Sequence, residues 1–434
     1  MTYDYNEEIR NTMKEVMSIL VTGKEEKQII SEKWEEIIKE LLEAVNNKKE
    51  FRKRLAGLHA LSDVIYWEEW SKVKTVFSKL FDIGFKLVDD PNDNVKEAAF
   101  TLLKTMKKIT LRNGNIYTCT NMTELKEIYA IVMPLVLQKG ILSHLTVVKL
   151  YSVSLLYEVL ETSKEESIIK KLKIKGSRQD RQLNYTYNSK QKMREIVKPY
   201  LKDIIILIVE CISDFEDEVW NKIEMEVFSN NKGKSSELDH YLNDMRIKSS
   251  KDSLLYEILG NCKELICEEV LDDTIPDLIK IIKKGVGLST RAGACNVIIE
   301  ISIERPELFK LKLAKKVFKS CIDILSNAKS CKESLLKIIC RLGGSLFRIM
   351  AKSFKTIQDS IDTINLQLLS NVEKYDEMIG FGIEKYWIAY LLIIREAMRN
   401  LKDLELSQEK GAVILQVVPY IFAIKNNTLE DEIK

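Results

Sequence analysis

The stretch Ser71–Ile109, SKVKTVFSKLFDIGFKLVDDPNDNVKEAAFTLLKTMKKI, carries the pattern that decides the fold. From Asn94 onward, apolar residues recur at the i, i+3, i+4, i+7 positions of a helix, and the first half of the stretch is also amphipathic. Pro91, in the intervening DDPND, prevents the first helix from continuing. Asn94 and Glu97 have the spacing of a helix N-cap and its capping-box partner. The stretch therefore predicts two antiparallel helices joined by a short turn.

The same pattern recurs along the chain, and a single hairpin cannot cover its own apolar face. Further pairs of amphipathic segments with short turns are predicted at 123–161, 196–228, 274–303 and 307–344. The second helices of consecutive pairs start 51 residues apart at Val95 and Thr146, and 40 residues apart at Arg291 and Cys331. A period near 40 to 50 residues is typical of HEAT and armadillo repeats. The predicted fold is all-α, an α-solenoid of HEAT/armadillo-like helical hairpins.

Composition agrees with this fold and narrows the functional classes. The 434 residues are 45% hydrophobic, with 16 glycines and 6 prolines, which favours long helices over tightly turning sheets. A formal net charge of +2 gives no overall field for nucleic acid, so nucleic acid is an unlikely partner. The longest apolar run, 386–394, is far shorter than a membrane span, and the acidic N-terminus does not resemble a signal peptide. We expect a soluble protein of the cytoplasm and nucleus with no membrane partner.

Two polar segments interrupt the repeats and suggest a domain organisation. Helical repeats are expected at 1–162 and again at 196–434, separated by a basic flexible insertion at 163–195. A second, polar insertion is expected at 229–252, as a disordered loop with a short helix. From Lys170 to Arg194 there are nine basic residues and one acid. The tyrosines among them would suit nucleic-acid stacking, whereas a flexible loop that meets an acidic protein surface is the favoured interpretation.

The glycine-containing stretch Gly285–Ile298, GVGLSTRAGACNVI, resembles a phosphate-binding loop only in composition. It lacks the Gly-Lys-Ser/Thr of a P-loop, and helical rather than strand periodicity precedes it. An architectural role is predicted instead. Gly285, like Gly140, should end a first helix with a positive φ, and Ser289 or Thr290 should cap the next helix. The small residues 292–294 should allow that helix to pack closely on a neighbour.

Residues suited to catalysis are few and scattered. The three histidines, His59, His144 and His240, stand in no metal or nucleophile motif, and no Cys-x-x-Cys pair occurs among the eight cysteines. The cysteines are expected to be reduced and buried. Adjacent acids at 68–69 and 268–269 point in different directions on a helix and predict solvated faces. Trp67 and Trp70 indicate core or groove packing, with a partner-facing patch as the alternative. No catalytic residue, metal site, cofactor or small-molecule substrate is predicted.

Several segments in a fixed order resemble a known family. These are RLAGLHALSDVI, VKEAAFTLLKTMKKI, the proline-bearing VMPLVLQKGILSHLTVVKLYSVSLLYEVLE, VKPYLKDIIILIVECIS and, most specifically, IPDLIKIIKKGVGLSTRAGACNVIIEIS. Their order resembles the C-terminal half of the large HEAT-repeat proteasome adaptor and scaffold family. Ser289 stands where that family usually has glycine, the chain is much shorter than family members and is expected to be a truncated member, and the resemblance fades after residue 350.

The resemblance implies a non-catalytic scaffold that binds the 26S proteasome, through core-particle or regulatory-particle subunits, and stabilises or regulates their association. Basic residues at the helix turns and in the basic insertion are the predicted contacts with acidic proteasomal surfaces: Lys139, Lys283, Lys284, Arg291, Lys170, Lys171, Lys173, Lys175, Arg178 and Arg181. Two alternatives stay open. One is a nuclear transport receptor or another cargo-binding HEAT-repeat scaffold, and the other is an enzyme with a cryptic Cys/His site.

Overall fold

The fold was determined as a computed structural model that falls into two compact units, Met1–Tyr200 and Leu201–Lys434. The structure describes residues 7–22, 30–114, 122–161, 179–216, 219–220, 222–223, 236–251, 253–326, 333–350, 359–360, 362–363 and 392–399. Within these ranges the regular secondary structure is helical, with no strand.

The first unit contains antiparallel helices in chain order. They are α1 (Glu7–Thr22), α2 (Trp34–Val45), α3 (Phe51–Trp67), α4 (Trp70–Leu87), α5 (Asp93–Asn113), α6 (Met122–Pro134), a π-helical turn (Leu135–Ile141) and α7 (Thr146–Glu161), followed by α8 (Gln179–Cys211), which continues into the second unit.

The second unit continues in the same way. After the 3₁₀ turn Ile212–Phe215 come α9 (Ser236–Lys251), α10 (Leu254–Leu265), α11 (Glu268–Lys284), α12 (Leu288–Glu304), the 3₁₀ turn Pro306–Leu308, α13 (Leu311–Ser326), α14 (Glu333–Ser345) and the short α15 (Phe347–Met350).

Helices pack both within a hairpin and between consecutive hairpins. In the first unit α4 packs on α5, while α4 also contacts α6 and α5 contacts α7. In the second unit α11 packs on α12 and α13 on α14, while α11 contacts α13 and α12 contacts α14. First helices therefore stack on first helices and second on second, which is how HEAT-type hairpins cover one another's apolar faces. The predicted all-α fold of HEAT-like hairpins is confirmed, although most of the second helix predicted at 218–228 lies outside the described residues.

An aromatic row holds the middle of the first unit. Trp70, Phe77, Phe81 and Phe85 follow one face of α4, with successive ring centroids 5.1, 5.3 and 5.5 Å apart in edge-to-face geometry. Tyr151 of α7 meets Phe85 at 6.1 Å. Edge-to-face contacts add to the burial of large apolar area. The row therefore joins the hairpin α4–α5 to the next one, and Trp70 packs as predicted while Trp67 is 45% exposed.

Two details of the first unit differ from the sequence predictions. Asn92, rather than Asn94, caps α5, because its side-chain oxygen accepts from the amides of Asn94 and Val95. Glu68 is buried rather than solvated, since its carboxylate in the α3–α4 turn accepts from the Ser31 hydroxyl at 3.3 Å and the Glu69 amide at 3.1 Å. In both cases a local polar contact takes a residue that periodicity alone places elsewhere.

The predicted insertions are only partly described. Residues 162–178 lie outside the described ranges, and α8 begins at Gln179, so the later part of the basic insertion is helical. The short helix expected in the polar insertion 229–252 spans Ser236–Lys251. Of the residues after 350, helical structure is described at 359–360, 362–363 and 392–399.

Truncating the centre of the aromatic row should destabilise the first unit strongly. Phe77 is fully buried, so Phe77→Ala is expected to lower the free energy of unfolding by about 3–5 kcal/mol, through lost apolar burial and the cavity left behind. Urea unfolding of the full chain, followed by far-UV circular dichroism, measures this. Phe51→Ala is the matched control, because Phe51 is 36% exposed and should cost less than about 1 kcal/mol. Equal effects of the two substitutions would contradict the packing described here.

Candidate functional site

The turn between α11 and α12 brings together Lys283, Lys284 and Arg291, three of the predicted contact residues. Lys283 and Lys284 form the last turn of α11, where positive charge is favoured by the helix dipole. Arg291 lies in the first turn of α12. We call residues 283–291 the α11–α12 turn. It is the best-defined candidate site in the described part of the chain.

Gly285 ends α11 as predicted, but without the predicted positive φ. Its φ is −61° and its ψ is 145°, and its amide donates to the Ile281 carbonyl at 2.6 Å. The positive φ, +89°, belongs to Gly287, which is the N-cap of α12. An L-residue rarely adopts this conformation, and a Cβ on Gly287 would lie 2.1 Å from Ser213 Oγ. The chain therefore reverses at Gly287, which only glycine fits.

A polar clamp fixes the start of α12 to the end of α8. The Thr290 amide donates to Ser213 Oγ at 3.2 Å. The Thr290 hydroxyl lies 2.9 Å from Ser213 Oγ and 3.3 Å from the Glu210 carbonyl oxygen. Thr290 and Ser289 are buried inside the first turn, so the prediction that either is the N-cap was wrong. The hydroxyl that could have capped its own helix instead bonds the neighbouring one, a choice that sequence spacing does not reveal.

The cations of the α11–α12 turn differ in how far the protein itself uses them. Arg291 Nε donates to the Ile282 carbonyl at 2.7 Å, which closes the turn from inside. Lys283 Nζ lies 3.4 Å from a carboxylate oxygen of Asp323 in α13, with both side chains substantially exposed. Lys284 is exposed, and no ion pair to it occurs within the described ranges. Lys284 is thus the cation of this turn best placed to meet a partner.

An apolar side chain stands at the tip of the same turn. Val286 is 89% exposed, between Gly285 and the N-cap Gly287. Sequence reasoning missed it, because periodicity scores a valine between glycines as part of a turn and gives no sign of where its side chain lies. The available signal was compositional, since a turn that needs only solubility would carry a polar residue at its tip.

The equivalent turn of the first unit is built differently. Lys139 and Gly140 lie inside the π-helical turn Leu135–Ile141, so Gly140 does not end a helix with positive φ as predicted. A Cβ on Gly140 would lie 2.1 Å from Ser152 Oγ, so glycine is needed there for close approach to α7. Lys139 Nζ lies 2.7 Å from a carboxylate oxygen of Asp82, and about half of each side chain is exposed.

The remaining predicted contacts belong to the basic insertion. Those from Lys170 to Arg178 lie outside the described residues, and Arg181 falls in the first turns of α8.

The described cysteines are buried thiols with suppressed acidity. Cys211, Cys262, Cys295, Cys321 and Cys340 are buried, as predicted. Burial raises the pKa of Cys262 and of Cys321 to about 12, and it raises the pKa of Cys340 well above the ordinary value. A nucleophilic thiol requires a lowered pKa and access, so these thiols are unsuited to catalysis.

Neither a metal site nor a membrane span is found in the described part of the chain. In the ranges given above, no group of three or more His, Cys, Asp or Glu side chains is arranged to hold a metal ion. The helices described there also include none that is both long and apolar enough to span a bilayer.

Paired helices that stack in register, with exposed turns at their ends, define a HEAT-repeat protein. Residues 197–365 match the HEAT-repeat domain of the proteasome adapter and scaffold protein ECM29. The α11–α12 turn lies within this domain. The resemblance predicted from the sequence is therefore confirmed, and the chain carries an ECM29-type HEAT-repeat domain.

Curated relatives of the chain extend the similarity beyond this domain. The human proteasome adapter and scaffold protein ECM29 is 22% identical over 311 residues, which cover 70% of this chain and 14% of the human protein. Proteasome component ECM29 of Saccharomyces cerevisiae is 22% identical over 355 residues, which cover 80% of this chain and 16% of the yeast protein. The chain thus spans about one seventh of the length of these relatives.

Solved structures show only distant likeness. A circular tandem repeat protein is 14% identical with a TM-score of 0.30, over 96% of this chain and 98% of its own. The karyopherin Kap121p, solved with the C-terminus of the phosphatase Cdc14p, is 10% identical with a TM-score of 0.25, over 90% and 48% of the two chains. Similarity at this level does not bear on function.

Replacing Gly287 should destabilise the second unit. Gly287→Ala is expected to cost about 1–3 kcal/mol of unfolding free energy, from the positive φ and the contact with Ser213. Gly260→Ala is the matched control. Gly260 lies inside α10, and a Cβ added there would meet nothing within 4 Å, so alanine should be neutral or stabilise by up to about 1 kcal/mol. Urea unfolding measures both, and an equal effect at the two positions would refute the assigned role of Gly287.

Thiol reactivity should separate buried from accessible cysteines. At about pH 8, iodoacetamide is expected to modify Cys267, which is partly exposed, at least tenfold faster than Cys262 or Cys321, because the latter are buried and almost wholly protonated. Time-resolved mass spectrometry of the native full chain gives the rates. Rapid modification of Cys262 or Cys321 in the folded protein would show that a described thiol is accessible after all.

Proposed function

We propose that the protein is a non-catalytic adaptor that binds the 26S proteasome through the exposed turns of its helical hairpins. The observation that supports this most directly is the ECM29-type HEAT-repeat domain at 197–365, which contains the α11–α12 turn. The curated relatives are named as proteasome adapters and components. Binding rather than chemistry also agrees with the buried, protonated thiols of the described core.

The helical-repeat architecture suits such a role. Stacked hairpins present many turns along one edge, so a modest contact at each turn adds to a stable interface without a deep pocket. The α11–α12 turn is held by the Thr290–Ser213 clamp and by the Arg291 side chain, so little conformational entropy is lost when a partner binds. A preformed turn is therefore the natural point of contact.

The basic residues of the turns are the proposed electrostatic contacts. Lys139 and Lys283 pair with Asp82 and Asp323 across consecutive first helices, at exposed positions. Exposed pairs of this kind contribute about 0–1 kcal/mol, so an acidic partner could replace either carboxylate at small cost. Lys284 and the basic insertion would add to the same attraction.

Three finer statements belong to the same proposal. The partner surface lies on core-particle subunits, regulatory-particle subunits or both, and binding stabilises or regulates the association of the two particles. The protein acts in the cytoplasm and nucleus, where buried thiols such as Cys262 and Cys295 stay reduced.

Binding to proteasomes should be direct and salt-dependent. The tagged full chain is expected to retain purified 26S proteasomes at about 0.1 M salt and to lose most of them at about 1 M, where the screening length falls from about 10 to 3 Å. Lys283→Glu with Lys284→Glu should weaken retention at low salt. The matched control is Lys315→Glu with Lys316→Glu, the same charge change at exposed positions in the middle of α13.

Thermal unfolding should be the same for the two double variants, which excludes misfolding as the cause of any loss. Absence of proteasome retention by the unmodified chain at low salt would contradict the proposed function. Equal retention by the two double variants would instead remove the α11–α12 turn from the electrostatic contact.

A further inference from the structure

We propose that Val286 is an apolar anchor that inserts into a small apolar socket surrounded by carboxylates on the partner protein. This inference rests on the proposed function and specifies the chemistry of the surface that the α11–α12 turn meets. It assigns a role to a residue that the electrostatic contacts above do not use.

The exposure of Val286 is the first observation. At 89%, it is well above that of the other large apolar residues exposed in the described part of the chain, for which the values run from 36% to 61%. Leaving a valine side chain in water rather than burying it forgoes about 1.5 kcal/mol or more. Single exposed apolar residues are common on surfaces and need no explanation by themselves. What distinguishes Val286 is how the protein holds it.

The support beneath Val286 is the second observation. The Gly285 amide closes the end of α11 on Ile281, and Arg291 Nε bonds the Ile282 carbonyl across the turn. On the other side, Gly287 reverses the chain against Ser213. Each residue flanking Val286 is thus fixed by a hydrogen bond or by a steric constraint. An anchor held in this way loses little freedom on binding, unlike a side chain on a loose loop.

The charge around Val286 is the third observation, and it selects the partner. Residues 282–291 contain the cations Lys283, Lys284 and Arg291 and no carboxylate. The nearby carboxylate of Asp323 is paired with Lys283, while Lys284 is exposed. A central apolar contact with a charged rim is the usual plan of a protein interface. The rim here is cationic, so the complementary surface carries Asp and Glu around an apolar hollow.

Affinity measurements test the anchor directly. Val286→Ala is expected to weaken binding of the full chain to purified 26S proteasome about tenfold, from the two methyl groups lost from the socket. The loss should be nearly equal at low and high salt, because it is apolar. Val147→Ala is the matched control, since Val147 is 48% exposed at the start of α7, and it should leave the affinity unchanged. Both valines are exposed, so folding should be preserved.

The outcomes separate the two proposals. Proteasome binding by the unmodified chain together with an unchanged affinity of Val286→Ala would overturn the anchor and leave the adaptor function standing. Failure of the unmodified chain to bind would overturn both.

A photo-crosslinking amino acid at position 286 identifies the socket. In the complex of the full chain with purified proteasome, it should form an adduct with a peptide whose surface neighbours are mainly Asp and Glu. The same probe at position 147 should give no such adduct. An adduct within a lysine- or arginine-rich surface, or no adduct to any proteasome subunit, would contradict the proposed partner chemistry.

Discussion

The structure depends on the fact that no helical hairpin of this chain can bury its own apolar face. The row from Trp70 to Phe85 on α4 meets Tyr151 of the following hairpin, and α12 packs on α14 in the second unit. Each hairpin thus supplies part of its neighbour's core. Stability arises between repeats, and the ends of the hairpins are left free for recognition. A protein built in this way carries its function on its turns rather than in a cavity.

The turns differ in ways that follow from local packing. The turn around Gly140 is wound into a π-helical segment pressed against Ser152, with its lysine paired to Asp82. The α11–α12 turn is extended, reverses at a glycine with positive φ, and displays Val286 between cations. Two stretches with the same Lys-Gly beginning therefore present different surfaces. The difference lies in what each turn packs on, Ser152 of α7 in one and Ser213 after α8 in the other.

Helical periodicity was sufficient to predict the fold, because stretches such as Val95–Ile109 keep one apolar face over several turns. The small residues at 292–294 were also interpreted correctly, since all three are buried. Caps and turns were less predictable. Asn92 competes with Asn94 for the same amides, and Thr290 bonds Ser213, a residue 77 positions away in sequence. Glu68 is buried because Ser31 and its own turn satisfy its carboxylate. Contacts of this kind depend on tertiary neighbours that no local pattern contains.

The central claim is that the chain is an adaptor whose helix turns, and the α11–α12 turn above all, are contacted by the proteasome. Hydrogen exchange of the full chain, measured by mass spectrometry with and without saturating purified 26S proteasome, tests it most directly. The account predicts slower exchange of the amides from Val286 to Arg291 in the complex, while the core of α5 stays unchanged. Unaltered exchange throughout the second unit in a demonstrably saturated complex would contradict it.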